Sequence, residues 1–505
     1  MSSRANRISR RTFFFYGSLL AGAIPAAGCG GSSSTPSLTR LGYKSPNEKL
    51  NIASIGAGGR AEGDIRGCES ENIVALCDVD DKQAAKTYAQ YEKAAKYKDF
   101  RKMLDKEGKN IDAVIIATPD HMHAIAAMWC MERGLGVYVE KPLTRTVWEA
   151  RQLTLAAEKY KVATQMGNHG YSNEGTRLAA EVIWSGEIGN VTEVHAWTNR
   201  PIWPQGMSAV PAAEPVPSTL DWDLWLGIAQ ERPFTSGGTA YADGDGFYLP
   251  FNWRGFFDFG CGALGDMACH ILGAPNMALR LGAPSSVAVI RQEGKNDLTF
   301  PSSSVIQFEF PARGSMPPLK LVWYDAMKDV PMRPAGLAED EMLLGPGLKV
   351  KPCSDDAGAQ VKASGGGKDT TAVQAAPAEP VRRPDQANGA VFIGENGILT
   401  TDSYAGNVRL LPAERMLDFK NPPQFLTRSP GHHRDWIRAC KGGDPACSHF
   451  SVAGPFTEWI LLGSIALRFE GKLEWDAKRM RFTNNDAANK YLKPEIRKGW
   501  DFHAV

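Results

Sequence analysis

The sequence has no surplus of charge of either sign. Its 57 lysines and arginines nearly balance its 56 aspartates and glutamates, which leaves a net charge of +1 over 505 residues. Proteins that bind nucleic acids usually present a strongly basic surface, so the charge balance gives no support for a nucleic-acid partner. A hydrophobic content of 43% and a charged content of 22% are those of an ordinary globular protein, and the length predicts two domains.

Paired cysteines and long apolar runs are also scarce. None of the nine cysteines forms a Cys-x-x-Cys pair, the spacing that zinc sites and thiol redox motifs commonly use. We therefore expect most of them to be buried thiols that pack as small apolar side chains. Cys440 and Cys447 are close enough in sequence to form a disulfide, although free thiols are the favoured interpretation. Beyond residue 29, no stretch is long and apolar enough to span a membrane.

A pattern typical of dinucleotide binding occupies residues 50–78. An apolar strand leads into a glycine-rich turn, a helix follows, and a second apolar strand ends at an aspartate. Glycine permits a tight turn and lets a pyrophosphate approach the backbone, and the helix N-terminus offers free N–H groups to the phosphates. The alternative is an ordinary strand–helix turn without a ligand. The predicted phosphate-binding residues are Gly56, Ala57, Gly58, Gly59 and Arg60.

The aspartate at the end of this pattern, Asp78, predicts a preference for NAD over NADP. It lies 20 residues after Gly58, where a carboxylate can accept hydrogen bonds from both hydroxyls of the adenosine ribose. The same carboxylate would repel the 2′-phosphate of NADP. Arg60 could pair with that phosphate instead, so NADP is the less favoured alternative.

Strands and helices alternate over residues 48–170, which predicts a Rossmann domain with a doubly wound parallel sheet. Ligands of such sheets bind outside the carboxyl ends of the strands. The residues that follow predicted strand ends, and that we expect near the ligand, are Thr118, Pro119, Glu140, Lys141 and Asn168.

Two histidines, His121 and His123, lie two positions apart after one of these strands. In an extended segment they would share a face, but a zinc site needs further ligands and none is near in sequence. We therefore predict no metal, and expect His123 to cap the segment and contact the cofactor.

Several short motifs together resemble the glucose–fructose oxidoreductase/inositol dehydrogenase (Gfo/Idh/MocA) family, and the likeness covers about residues 48–475. The motifs are Gly56-x-Gly58-Gly59-Arg60, Thr118-Pro119-x-x-x-His123, Glu140-Lys141-Pro142 and Asp266-x-x-x-His270. The resemblance implies that Lys141 lies beside the nicotinamide and the substrate hydroxyls, and that Glu140 lies near the nicotinamide ribose. It also implies a homo-oligomer that associates through the sheet of the second domain.

An Asp-x-x-x-His pair is the predicted acid–base group. If residues 263–272 are helical, Asp266 and His270 share one helix face, and the carboxylate can orient the ring and raise its basicity. Spacing alone would equally fit a structural pair. The resemblance implies that the pair faces the nicotinamide, which favours catalysis. The predicted substrate contacts are Asn168, Trp253, Arg254, Asp266 and His270.

Residues 171–475 are predicted to form an α+β domain with a largely antiparallel sheet, because strand patterns lie between helical segments. Residues 328–388 are predicted to be a mobile insertion, and residues 476–505 a C-terminal tail.

A loop rich in proline, glycine and tryptophan precedes residue 254. Aromatic rings stack on the apolar faces of sugars, so the tryptophans are candidates for substrate stacking, with core packing as the alternative. They are Trp197, Trp203, Trp222, Trp225 and Trp253.

Residues 1–29 are predicted to be an export signal and residues 30–47 a flexible tether. The pair Arg10-Arg11 before an apolar stretch resembles a twin-arginine signal, with an ordinary Sec signal as the alternative. The stretch ends at Cys29 in a sequence similar to a lipoprotein cleavage box, so a lipid anchor and a plain cleaved leader both fit. The twin-arginine route carries folded proteins, so a cofactor would be loaded before export to the periplasm or cell envelope.

These observations predict an exported NAD-dependent oxidoreductase that acts on a sugar or polyol and holds its cofactor tightly. His270 would take the hydroxyl proton and Lys141 would stabilise the alkoxide. One alternative is a redox-neutral NAD-dependent glycosidase or epimerase, and another is a cofactor-retaining lipoprotein without turnover.

Overall fold

The computed structural model describes residues 47–237, 246–328, 330–348 and 387–505. The predicted export signal, nearly all of the tether and most of the predicted insertion lie outside the described residues. In the four described ranges, no helix is both long enough and apolar enough to cross a membrane.

The first domain is built on a six-stranded parallel sheet. Its strands are β1 (Asn51–Ile55), β2 (Asn72–Cys77), β3 (Ala95–Tyr97), β4 (Ala113–Ile116), β5 (Gly136–Val139) and β6 (Thr164–Met166). Every residue of β4 and β5 is buried, as expected where helices cover both faces of a parallel sheet. The order β3-β2-β1-β4-β5-β6 confirms the predicted Rossmann fold and brings the carboxyl ends of β1, β4 and β5 together.

The helices of this domain start at local sequence signals. They are α1 (Arg60–Gly67), α2 (Asp81–Gln90), α3 (Phe100–Glu107), α4 (Asp120–Glu132) and α5 (Val147–Tyr160). Asp80 and Asp99 cap α2 and α3, and Thr146 forms a capping box with Glu149 at the start of α5. These caps satisfy N–H groups that the first turn of each helix leaves free.

The second domain is organised on a nine-stranded sheet. Its strands are β7 (Val191–Trp197), β8 (Ser286–Glu293), β9 (Ser303–Phe310), β10 (Leu319–Tyr324), β11 (Gly389–Gly394), β12 (Ile398–Asp402), β13 (Val408–Leu411), β14 (Lys472–Asp476) and β15 (Arg481–Phe482). They lie in the order β13-β12-β11-β7-β10-β9-β8-β14-β15, and only β7 and β10 run parallel among these described strands. The predicted α+β class with a largely antiparallel sheet is confirmed.

Helices of the second domain connect this sheet to the first domain. They are α6 (Glu174–Trp184), α7 (Trp222–Leu226), α8 (Gly262–Ile271), α9 (Gly273–Ala278), α10 (His432–Cys440) and α11 (Phe450–Ala466). Helix α11 packs between α5 and α8. Glu458 of α11 accepts two hydrogen bonds from Arg151 of α5, at 2.7 and 2.6 Å. The contact fixes α8 against the nucleotide domain.

Residues 476–505 return to the first domain. The guanidinium of Arg101 lies 4.2 Å from the centroid of the Trp500 ring, and the indole of Trp129 donates to the Asp501 carbonyl at 3.2 Å. The segment predicted as a tail is therefore packed along the nucleotide domain.

Candidate active site

The glycine-rich turn between β1 and α1 is tight on one side and open on the other. A Cβ at Gly56, where φ is +88°, would lie 2.4 Å from the Ala117 carbonyl oxygen, and one at Gly58 would lie 2.3 Å from the Gln83 carbonyl oxygen. A Cβ at Gly59 would meet nothing within 4 Å. Packing against Gln83 thus requires Gly58, which differs from the predicted role in phosphate approach. The open side at Gly59, beside the N-terminus of α1, fits a pyrophosphate.

Asp78 is fixed at the mouth of this turn. Its Oδ2 accepts hydrogen bonds from the N–H groups of Ala57 at 2.8 Å and Gly58 at 3.2 Å, and its Oδ1 accepts one from Asp80 at 3.0 Å. Burial raises the pKa of Asp78, and the backbone donors oppose that rise. Oδ1 keeps a lone pair, so Asp78 can still accept a hydrogen bond from a ribose hydroxyl.

Arg60 is held by carboxylates of its own domain. Its Nε donates to Glu140 Oε1 at 3.0 Å and its Nη2 donates to Asp64 Oδ1 at 2.8 Å. Burial opposes its charge, but Glu140 and Asp64 hold the pKa of Arg60 above its usual value. Arg60 was predicted to bind the cofactor. In the structure it connects α1 to the end of β5, and its contact with the cofactor stays a prediction.

The end of β5 meets α8 through Lys141. Its Nζ lies 2.8 Å from Asp266 Oδ1, and the Nε of Arg254 donates to the same oxygen at 3.2 Å. Burial opposes the lysine charge, but Asp266 keeps the pKa of Lys141 above its usual value. Burial likewise opposes ionisation of Asp266, but Lys141 and Arg254 hold its pKa well below the usual range. Lys141 is therefore a charged donor at neutral pH and not a base.

His270 lies one helical turn beyond Asp266 on α8. Its Nδ1 is buried and has no hydrogen-bond partner among the residues that the structure describes, and its ring centroid lies 4.7 Å from that of Tyr404. Burial, reinforced by the nearby charge of Lys141, sets the pKa of His270 well below its usual value. A neutral imidazole can accept a proton.

The charge of Asp266 raises the pKa of His270 as predicted, but the structure differs from the predicted pairing in the contact between the two side chains and in the net pKa. No hydrogen bond joins the two side chains in the described structure, because Lys141 and Arg254 occupy the carboxylate. The basicity of His270 is also lowered overall, since burial outweighs the favourable charge of Asp266. The shared helix face is as predicted.

Sequence comparison decides the family of this two-domain chain. Residues 50–168 match the family description "Oxidoreductase family, NAD-binding Rossmann fold", and residues 186–296 match "Oxidoreductase family, C-terminal alpha/beta domain". Both domains of the chain match the Gfo/Idh/MocA oxidoreductase family. The nucleotide-binding domain is thus of the NAD-binding type, in agreement with the geometry of the glycine turn and Asp78.

Individual relatives of this Gfo/Idh/MocA protein match over shorter stretches. A "Glycosyl hydrolase family 109 protein" of Solibacter usitatus is 27% identical over 204 residues, which cover 37% of this chain and 45% of the relative. An "Inositol 2-dehydrogenase" of Salmonella typhimurium is 29% identical over 154 residues, which cover 29% of this chain and 44% of the relative. The match spans less than half the length of each.

A solved structure supports the fold. The WlbA dehydrogenase of Chromobacterium violaceum, crystallised with NADH and UDP-GlcNAcA, aligns with a TM-score of 0.54 and 14% identity. The alignment covers 86% of this chain and 97% of that protein. At this identity the likeness concerns the fold alone.

Two residues predicted to contact ligands are structural in this Gfo/Idh/MocA chain. Asn168 has no exposed surface, and its Nδ2 donates weakly to the Cys269 carbonyl at 3.4 Å. The ring nitrogens of His123 each lie 2.8 Å from a carbonyl oxygen, one of Pro142 and one of Thr118. His123 therefore ties the loop after β4 to the loop after β5, and burial lowers its pKa to about 4.

The loops around these two residues keep part of the predicted site. His121 and His123 lie in the first turn of α4 and not in an extended segment. Thr118 and Pro119 remain partly exposed at the end of β4, where they can line the cofactor cleft.

The candidate stacking tryptophans are core residues. Trp222 and Trp225 stack on each other at 4.8 Å, in a cluster with Tyr248 and Phe259. Trp253 is buried, and the guanidinium of Arg254 covers its ring at 4.2 Å from the centroid. The predicted substrate contact of Trp253 is therefore replaced by a role in holding Arg254. Trp197 and Trp203 are also buried.

The structure adds Asp120 to the residues of the candidate site, and the sequence patterns did not predict it. This carboxyl is buried at the first residue of α4, and burial raises its pKa to about 7 although the charge of Arg254 opposes the rise. The charges of Lys141 and Asp266 also act on it. Its position directly after Thr118-Pro119, at a strand end of a Rossmann sheet, is the sequence feature that could have predicted it as a site residue.

A second missed feature lies beside Arg60. Asp64, His169 and His433 bring ligand-type atoms within 4.8 Å of one another among the described residues. His433 Nε2 lies 3.1 Å from Asp64 Oδ1, the oxygen that also accepts from Arg60. The Arg60 guanidinium thus already provides the positive charge that a metal ion would bring to the Asp64 carboxylate. These residues are far apart in sequence, which explains why no local pattern revealed them.

Proposed function

We propose that this protein is an NAD-dependent oxidoreductase that oxidises a hydroxyl-bearing carbon of a sugar or polyol. The observation that carries the proposal is the meeting of Lys141 and Asp266 across the domain junction, with neutral His270 one turn further along α8. A charged donor and a neutral base at one cleft are the two groups that alcohol oxidation requires.

The cofactor would be held by the turn from Gly56 to Gly59 and by Asp78. When bound, NAD supplies the acceptor for the hydride that leaves carbon. The Lys141 ammonium donates a hydrogen bond to the substrate oxygen and stabilises its negative charge, and His270 receives the hydroxyl proton. Loss of the hydroxyl proton to His270 and of the carbon-bound hydrogen as hydride would convert the alcohol into a carbonyl. Asp266 and Arg254 hold Lys141 in place.

Chemistry and relatives together support the proposed substrate class. A charged donor and a neutral imidazole suit a hydroxyl group that becomes an alkoxide. The inositol 2-dehydrogenase of Salmonella typhimurium is among the relatives by sequence, which favours a polyol.

A panel of sugars and polyols tests this function at the nicotinamide absorbance of the purified, NAD-loaded protein. We expect at least one cyclic or open-chain polyhydroxy compound to reduce the cofactor, and Lys141→Met to reduce that rate by about a hundred- to ten-thousand-fold. The matched control Lys441→Met removes a lysine paired with Glu71 on another part of the nucleotide domain. Equal rates in the wild type and Lys141→Met would overturn the assignment.

A second candidate function is a redox-neutral cycle, which the glycosyl hydrolase family 109 relative favours. Transient oxidation of a sugar carbon acidifies the neighbouring C–H, and return of the hydride restores the cofactor. Product would then accumulate without net NADH. Chromatography of sugar glycosides after incubation, compared with the absorbance record, separates this cycle from net oxidation.

Export, cofactor retention and assembly are further proposals that rest on the sequence. The pair Arg10-Arg11 supports twin-arginine export, Cys29 supports a lipid anchor, and the family resemblance supports a homo-oligomer. Replacement of both arginines by lysine should leave the precursor in the cytoplasm. Retained NAD in protein recovered from the periplasm would support export with the cofactor bound, and sedimentation of the purified protein would show its assembly state.

A further inference from the structure

One aromatic ring at the candidate site is exposed, and it is not one of the tryptophans. Tyr404 lies in the turn between β12 and β13 and is 36% exposed. Its ring centroid lies 4.7 Å from that of His270, and the two ring planes are inclined by 54°. The candidate stacking residues Trp222, Trp225 and Trp253 are each less than a tenth exposed.

The turn that carries Tyr404 is fixed by hydrogen bonds. Asp402 accepts the N–H groups of Gly406 at 2.7 Å and Asn407 at 3.0 Å. The Nδ2 of Asn173 donates to the Tyr404 carbonyl at 2.8 Å. A Cβ at Gly170 would lie 3.0 Å from the Tyr404 backbone, so the turn packs closely on the segment after β6. A ring on such a support is held in one place beside His270.

The phenol of Tyr404 lies within the electrostatic influence of the candidate site's charged groups. Burial raises its pKa, and the charges of Lys141 and Asp266 act on it as the next contributions. Arg60 and Glu140, at the nucleotide side of the candidate site, act on it as well. The phenol therefore stays neutral at neutral pH.

We propose that Tyr404 is a specificity-determining residue whose ring selects a cyclic substrate, a pyranose or a cyclitol, over an open-chain polyol. This inference rests on the proposed function and refines it. A six-membered ring presents a rigid, apolar C–H face that can lie on an aromatic ring, while its edge hydroxyl reaches His270. An open-chain polyol has no persistent apolar face and must immobilise several rotatable bonds to bind.

The test compares kcat/KM for cyclic and open-chain probes in wild type, Tyr404→Ala and Tyr404→Phe, with bound NAD measured in each. The cyclic probes are myo-inositol and a methyl glucopyranoside, which cannot open, and the open-chain probe is glucitol. We expect Tyr404→Ala to lower the cyclic to open-chain ratio about five- to tenfold, mainly through KM. Tyr404→Phe keeps the ring and should keep the ratio.

The control variant is Tyr491→Ala, which removes another exposed tyrosine that contacts Phe469 and Arg468 and not the site. A ratio that is unchanged in Tyr404→Ala would overturn the inference. So would an equal loss in Tyr404→Phe and Tyr404→Ala, which would assign the effect to the hydroxyl.

Failure of the proposed function gives a different result. If none of the probes reduces NAD, calorimetric binding of myo-inositol and glucitol to the NAD-loaded protein replaces kcat/KM as the readout. If myo-inositol binds more tightly than glucitol and Tyr404→Ala abolishes the difference, the inferred selectivity is supported and only the proposed oxidation is contradicted. Equal binding of both probes would contradict the selectivity itself.

Discussion

Lys141 and Asp266 form a 2.8 Å ion pair between the end of β5 and helix α8, and so connect the two domains at the candidate site. Arg254 shares the same carboxylate oxygen at 3.2 Å. Asp266 is therefore a positioning residue for Lys141, and not the partner of His270 that the i, i+4 spacing predicts.

The first prediction concerns the charge of Lys141. Asp266→Asn removes the group that keeps the lysine protonated against burial, so the pKa of Lys141 should fall. The basic limb of the kcat/KM profile should move to lower pH, with a smaller loss of rate at pH 6 than at pH 9. An unshifted basic limb in Asp266→Asn would show that Lys141 does not depend on this carboxylate. Glu458→Gln, which breaks the domain-bridging pair with Arg151, is the control.

The second prediction concerns His270 as the base. Its pKa lies well below the usual value because the ring is buried, so the imidazole is neutral at neutral pH. The acid limb of kcat/KM should therefore fall below the ordinary histidine pKa of about 6.5. His270→Ala should lower turnover by about a hundred- to ten-thousand-fold and leave NAD bound. Full activity in this variant would show that His270 is not the base and that the Asp–His pair has a structural role.

The third prediction concerns cofactor choice. Asp78 has two functions, because its carboxylate also holds the N–H groups of Ala57 and Gly58. Asp78→Asn keeps an acceptor oxygen and removes the charge, so discrimination against NADP should relax by about tenfold. Asp78→Ala should weaken the binding of both nucleotides. If Asp78→Asn kept the wild-type ratio of NAD to NADP affinity, the specificity would have another source.

The fourth prediction concerns acid stability. Burial lowers the pKa of several histidines, namely His121 to about 3, His123 and His169 to about 4, and His270 and His432 well below their usual value. Below about pH 6.5 the unfolded chain binds these protons and the folded chain does not, so the free energy of unfolding decreases as pH falls. Asp120 and Asp325, whose pKa burial raises to about 7, act in the opposite direction and reduce the slope.

Urea unfolding at pH 7.5 and pH 5.5 measures this dependence. Each histidine that stays neutral contributes about 1.4 kcal/mol per pH unit. His121→Phe keeps an aromatic ring between Trp225 and Phe259 and removes one such group. Because only the pH unit below about 6.5 contributes, the difference in the free energy of unfolding between pH 7.5 and pH 5.5 should then decrease by about 1.4 kcal/mol, whatever the variant does to stability at pH 7.5. An unchanged slope would mean that His121 titrates normally in the folded protein.

Local patterns predicted the parts of the site that lie within one strand–turn–helix unit. The turn from Gly56 to Gly59, Asp78 and Lys141 all follow strand ends, and the Rossmann topology fixes where strand ends meet. The neighbours of Gly58 and Arg60 were not predicted because they come from elsewhere in the chain. The Gln83 carbonyl lies close to Gly58, and Glu140 accepts a hydrogen bond from Arg60.

Contacts between distant segments explain the other differences. Asp266 and His270 have the expected spacing, but the partner of Asp266 lies 125 residues away in sequence. Tyr404 reaches His270 from a turn after β12 that carries no motif. Tryptophan content alone cannot tell an exposed platform from a packed cluster, since large aromatic residues serve both purposes.

The central claim is that carbon-bound hydrogen of a polyhydroxy substrate is transferred to NAD in a step that uses Lys141 and His270. The most direct measurement is a single turnover with myo-inositol deuterated at carbon, or with another substrate that the panel identifies, followed by mass analysis of the nucleotide released on denaturation. We predict NADH that carries the deuterium in wild type, and unlabelled NAD at full occupancy in Lys141→Met. Release of a nucleotide that never acquires the label from any oxidised substrate would contradict the account.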